Sequence, residues 1–304
     1  CAMVGWNEMT GVTGHMNMKY EGLDANRHLL DATQYAKSVD GASRLYRLIS
    51  HYCIHGEVLA SRQHSDIRCF SAPPKEGSFE QTLVILTGLT YQIPAFADVY
   101  KKAFDWLTSQ VLTYVKKALS GNSDVKELIE VIKEQAKQSS DLNHVMANGL
   151  IKANDNAHLT TERLTEKLLA TLPLLVEAAR TPMRNTLAPI GKSCDQITQF
   201  ADSDHPVEIT EPEALAIRSN GEVSVGEPGD YVISRIYALS VDTGVCRVQI
   251  EGYSGSVHGK ITDIALSFPN NAYTKAMGSH ASLKVRARPV YKDGELHRLF
   301  ITET

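Results

Sequence analysis

The pattern of apolar and polar positions between residues 66 and 88 predicts the centre of the fold. Residues 67–70 are a short run of β-formers, and residues 79–86 are a second. Between them Ala72-Pro73-Pro74-Lys75-Glu76-Gly77 supplies turn chemistry, because proline fixes φ and glycine accepts a positive one. Upstream, residues 18–22 predict a first strand closed by glycine, with Asp24 placed to cap a helix. From 26 to 55 the apolar positions Leu29, Leu30, Tyr35, Ala36, Val39, Leu45, Leu48, Ile49 and Tyr52 recur at spacings of three and four. That spacing predicts one long helix, or two joined at Gly41, stopped by Gly56. Residues 57–60 read as another short strand. One amphipathic helix lying across a small, mainly antiparallel sheet is the economical packing, and the fold class expected is α+β.

The period then becomes helical throughout. Phe96, Val99, Ala103, Trp106, Leu107, Val111, Tyr114 and Ala118 trace one stripe ended by Gly121, and Val125, Leu128, Ile129, Ile132 and Ala136 trace a second. Residues 139–160 are more polar and predict a weaker helix. Another starts at Thr160 or Thr161 and is kinked or divided at Pro173, and a last piece spans 183–200, interrupted at Pro189 and Gly191. These helices are expected to form a bundle or to extend as an interaction arm. From 202 to 230 eight acidic residues face only Arg218, with Pro206, Pro212 and Pro228 among them, and this stretch reads as a linker. Beyond it, strands are expected at 231–240, 245–251, 257–264, 283–291 and 295–302. The last two flank the hairpin signal Asp293-Gly294, and one short helical turn lies in 270–278. The expectation is a small barrel or curled sheet of no assigned topology. The division is thus a cloning-derived or disordered leader (1–17), an α+β unit (18–92), a helical region (93–201), an acidic linker (202–230) and a small β domain (231–304).

Composition adds limits. A chain of 304 residues with 43% hydrophobic content can bury sizeable cores, and a net charge of −4 with a pI near 6.3 gives no global pull toward nucleic acid or an anionic membrane. Binding of that kind has to come from a local patch. Cys1, Cys53, Cys69, Cys194 and Cys246 stand far apart without a C-x-x-C pair, which suits reduced thiols in a cytoplasm. No run of eighteen apolar residues occurs, and the first fifteen residues lack the basic start and apolar stretch of a secretory signal. Neither a Walker A loop nor a G-x-G-x-x-G is present, and no cofactor is expected.

Three clusters can carry chemistry. Arg44 and His51 on the first helix fall at the loose end of the R-x(4-6)-H spacing of metal-independent ribonucleases of the HEPN class, where the histidine handles the 2′-hydroxyl proton and the arginine the phosphate charge. Those proteins are all-helical, whereas this helix is flanked by strands, and a solvated arginine with a packed histidine explains the pair more simply. His51 and His55, four apart, can face one metal ion, yet two histidines do not complete a zinc site. Lys284, Arg286 and Arg288 alternate with Leu283, Val285 and Ala287, so three cations project from one face of one strand. On a small barrel such a face can track a phosphate backbone, with Tyr253, Tyr273 or Tyr291 for stacking. The simpler alternative is an exposed antiparallel face with its apolar residues turned inward. Two further features are explained structurally. Gly252-Tyr-Ser254-Gly is a turn rather than a nucleophile elbow. The lysines and aromatics of 96–119 suit a core helix with a wet outer face, or one lying on a membrane or partner.

Tyr20-Glu21-Gly22, the helix end at 45–56 and Lys75-Glu76-Gly77-Ser78-Phe79 resemble uncharacterised bacterial proteins, some associated with phage defence or mobile elements. The ending 285–296, V-x-A-x-P-V-x-K-D-G-E-L, is similar to the same type. The resemblance implies no catalytic residue. The resulting expectation is a cytoplasmic, non-enzymatic sensor, adaptor or assembly subunit that forms a homo-oligomer or binds a protein partner. The alternatives are a HEPN-like ribonuclease and a nucleic-acid-binding module.

Overall fold

In the computed structural model, which describes residues 12–55, 57–59, 67–72, 80–86, 97–121, 130, 134, 161–219 and 223–304, β1 (Val12–Glu21) is the central strand of a five-stranded sheet. Its neighbours are β2 (Arg68–Ser71), β3 (Glu80–Leu86), β4 (Gln196–Gln199) and β5 (Val207–Thr210), in the order β2-β3-β1-β4-β5 with every pairing antiparallel. β1 starts earlier than the expected Met18, so residues 12–17 are strand rather than leader. Met16, Met18 and Tyr20 are buried while Asn17 and Lys19 are not, which is the two-residue period of a half-buried strand. The turn 73–79 lies outside the described residues, as do 122–129 and 135–160, where a second and a weaker helix were expected. Residues 57–59 are described and are not strand.

α1 (Ala32–His55) runs unbroken through Gly41. Glycine is required there by packing and not by a break: a Cβ on Gly41 would lie 2.4 Å from the Thr186 backbone nitrogen of α3 (Thr161–Thr186). α3 stays one helix although it contains Pro173 and Pro182, and it ends at Thr186. The expected helical tail 183–200 is therefore corrected. Gly191, at φ 76°, turns the chain, and Gln196-Ile-Thr-Gln alternates and pairs with β1.

The first core joins Leu45, Tyr46, Ile49 and Tyr52 of α1 to Met16, Met18 and Leu83 of the sheet and to Leu175, Ala179 and Met183 of α3. α2 (Ala97–Leu119) adds Leu107, Val111, Leu112 and Val115. Buried polar groups fix the register. Tyr46 donates to Gln199 Oε1 at 2.8 Å, Tyr20 Oη lies 3.1 Å from Ser38 Oγ, and Tyr35 donates to Gln81 Oε1. α2 and α3 pack against this unit instead of reaching away as an arm.

The acidic stretch 202–230 is not a bare linker. It holds β5, α4 (Glu211–Arg218) and β6 (Val223–Val225), because Val207 and Ile209 alternate with Glu208 and point inward. A capping box starts α4: the Thr210 N–H donates to Glu213 Oε2 at 2.9 Å, and its hydroxyl lies 3.1 Å from the same oxygen. Lys116 of α2 pairs with Glu213 at 3.0 Å and donates to the Glu208 carbonyl at 2.7 Å. The chain divides into two compact units within α4, after Ala214.

The second unit is a closed five-stranded barrel with β6 added beside the strand Leu283–Lys292. β7 (Gly229–Leu239), β8 (Val245–Ile250) and β9 (Val257–Ile261) form a meander, and α5 (Ala272–Ser279) follows. The hairpin of β10 (Leu283–Lys292) and β11 (Glu295–Glu303) then closes the ring, with β10 antiparallel to β7 and β11 parallel to β9. Numbered within the barrel, the order is 1-2-3-5-4-1 with a helix between the third and fourth strands, which is OB-fold topology. Ile233, Val248, Ile250, Ile261, Val285, Leu299 and Ile301 fill its interior, with Tyr273 of α5 packed among them. Gly244, in the turn from β7 to β8, lies so close to β9 that a Cβ would meet the Ile261 carbonyl at 2.2 Å.

Candidate nucleic-acid interface

Which side chains face outward on the barrel follows from which are needed inside. Cys246, Val248 and Ile250 fill the interior from β8, so Val245, Arg247 and Gln249 point out. Val257 and Ile261 do the same on β9 and turn His258 outward, and Leu299 and Ile301 turn the half-buried Arg298 outward on β11. Lys260 and Phe300 leave the barrel interior too but are buried, Phe300 in a second cluster with Ala216, Val223, Val225 and Val290. Strand register then aligns the outward groups. Arg247 lies opposite His258, and His258 opposite Arg298, making one row across three strands. None of the outward positions of β8 and β9 is acidic.

The row is held and extended by its neighbours. Arg247 Nε donates to Ser256 Oγ at 2.7 Å, and the Arg298 guanidinium sits 6.0 Å from the Phe300 ring centre. Across β8, Gln249 is opposite Arg235 of β7. Tyr237, 47% exposed, donates to Gln249 Oε1 at 2.7 Å, and the Arg235 guanidinium lies 5.5 Å from its ring centre. The arrangement offers a stacking surface beside a line of cations. His297 sits in a β-bulge of β11 next to Arg298. Burial holds its pKa below the usual histidine range, and the charges of Arg298, Lys292 and His258 lower it further.

The residues singled out from sequence fall elsewhere. Lys284 and Arg286 are exposed and Arg288 half-buried on the outward face of β10. Arg286 stands in register with Asp230 of β7 on one side and Glu303 of β11 on the other, so carboxylates flank its charge. β10 is the fourth strand of the barrel and is separated from β8 by β7. Of the tyrosines considered for stacking, Tyr273 is fully buried, Tyr291 is half-buried on β10, and Tyr253 is exposed after β8. Arg44 is exposed and pairs at 3.1 Å with Asp40, one turn back and away from His51, which is buried seven residues further along α1. The structure does not bring that pair together. The side chain of His55 lies outside the described residues, and among those described no three His, Cys, Asp or Glu groups cluster as metal ligands.

Other reactive groups are held inert. Burial pushes the thiols of Cys53 and Cys246 up to about 12, so both are neutral packing groups at physiological pH. Gly252 and Gly255 take positive φ, as a turn requires. Among the described residues, no helix is long and apolar enough to cross a membrane.

Sequence reasoning passed over Arg235, Tyr237, Arg247, His258 and Arg298. The alternation on each strand was visible, but the row exists only through cross-strand register.

Two family models match the chain. The family of unknown function DUF7947 covers residues 231–304, the barrel strands onward from Tyr231, and the domain of unknown function DUF7946 covers residues 16–218. No curated protein matches. With two thirds of its length matched by that second model, the chain belongs to the DUF7946 family, and its barrel is matched by DUF7947.

Proposed function

We propose that this protein is a non-enzymatic adaptor or sensor subunit whose C-terminal barrel binds single-stranded nucleic acid on the face formed by β7, β8, β9 and β11. The observation that carries the reading is the Arg247–His258–Arg298 row on strands two, three and five of an OB barrel. OB-folds bind oligonucleotides over strands two and three, where cations follow the backbone and aromatic faces stack bases. Tyr237, steadied by Gln249 and Arg235, supplies the stacking surface. The near balance of charge in the barrel fits a narrow cationic strip rather than a broadly basic protein. The adaptor half of the reading rests on the separate first unit, and a defence setting is what the resemblance of residues 18–90 implies.

Fluorescence anisotropy with a labelled oligo-dT or oligo-rU tests the binding. Affinity is expected to fall with salt, because phosphate contacts release counterions, and to fall more than tenfold in the double variant R247A/R298A. Undetectable binding at about 50 mM salt, or affinity indifferent to both changes, overturns the proposal. For the adaptor half, light scattering is expected to show a stable oligomer, or pull-down a partner; a strict monomer without either counts against it. The ribonuclease alternative has less geometric support, since Arg44 turns toward Asp40. Metal-independent RNA cleavage lost in His51→Ala would revive it.

A further inference from the structure

The strip contains two histidines among fixed cations, and this has a chemical consequence. His258 stands between Arg247 on β8 and Arg298 on β11, and His297 occupies the bulge beside Arg298. The charged groups around them come from every adjoining strand. Arg247 reaches in from β8, Lys260 shares β9, Arg298 shares β11, and Lys292 arrives from β10, where Glu295 stands opposite it in the hairpin register. Each group whose charge acts on His297 is a cation or can become one. The His297 imidazole, so placed, resists protonation, and an arriving phosphate removes the reason for the resistance.

We propose that Arg247, His258, His297 and Arg298 form a phosphate subsite that takes up a proton as a phosphodiester binds, so that the barrel holds nucleic acid more tightly as the medium becomes mildly acidic. This rests on the β8–β9 reading above. The reaction balances simply: His297 is neutral in the free protein at neutral pH, the phosphodiester carries one negative charge, and a proton from solvent makes the bound imidazole cationic. The sign follows. His297 is disfavoured as a cation before binding and favoured after it, so affinity is flat at high pH and rises as pH falls through the histidine range. Linkage is reciprocal, so nucleic acid must raise the pKa of His297 by the same factor by which the proton tightens nucleic-acid binding.

The test is anisotropy with a labelled oligo-dT at fixed ionic strength between pH 5.5 and 8.5. The quantity read is the ratio of affinities at pH 6 and pH 8. The parent protein is expected to give about tenfold, the ceiling for one proton being tenfold per pH unit. H297Q should bring the ratio to about one. An NMR titration of the His297 ring should move to higher pKa when oligo-dT is added. A ratio near one in the parent, an unchanged ratio in H297Q, or an unmoved ring titration overturns the proposal while leaving the binding face intact. Absence of binding at every pH overturns the face itself.

Discussion

The two units place their polar side chains in opposite positions. In the first, buried polar side chains are paired, Tyr20 with Ser38, Tyr46 with Gln199 and Gln81 with Tyr35, where they set how α1 lies on the sheet. In the barrel the interior is almost wholly aliphatic, and Arg235, Tyr237, Arg247, His258 and Arg298 stand outside. Polar groups inside a protein cost stability unless satisfied, so they serve position; those displayed on a rigid strand are available to a partner. The proposed function therefore puts architecture in the first unit and recognition in the second.

The largest expected effect tests the architectural half. Gly41→Val drives a side chain into the Thr186 backbone and should cost about 3 kcal/mol. Trp106 lies on α2 of the first unit and no tryptophan lies in the barrel, so in a Trp6→Phe background tryptophan fluorescence follows the first unit. Its midpoint should drop while oligonucleotide affinity holds; loss of binding in step with it would break the division of labour. Next is Tyr237→Ala, which should weaken oligo-dT by about 2 kcal/mol, or roughly thirtyfold, if its ring stacks a base. An unchanged Kd would remove Tyr237 from the face. Tyr46→Phe, which strips Gln199 Oε1 of its donor in a buried place, should destabilise the first unit by about 1.5 kcal/mol in urea unfolding. Equal stability would show that the polar network does not set that packing. Arg247→Ala alone should lower affinity about tenfold and reduce the salt slope by about 0.7, the value for one phosphate contact to a single strand. Smallest is Arg286→Ala on β10, expected to change affinity less than about twofold because Asp230 and Glu303 flank it. A larger loss there than at Arg247 would move the interface to β10.

Much of the fold was legible residue by residue. The helical stripes ending at His55 and Leu119, the Asp293-Gly294 hairpin and the barrel strands emerge within a few residues of where the periodicity puts them. What failed had a common cause. At 12–17 the cloning-junction look of Gly14-His15-Met16 hid a strand, at 207–210 acidic composition masked a two-residue alternation, and at 196–199 a strand followed a helix, where the sequence suggests more helix. For the candidate site, the cations of β10 stand out because three fall on one strand, whereas the better-placed row takes one residue from each of three.

By itself the sequence determined what each segment can be: period sets helix or strand, and alternation sets which side chains leave the core, because both depend on neighbours a few residues away. Only the tertiary structure decided that β4 and β5 complete the sheet begun by β1, that Gly41 is a helix crossing, and that Arg247, His258 and Arg298 share a row. Those facts depend on register between strands and closure of the barrel, which are fixed by the packing of cores assembled from residues far apart in the chain.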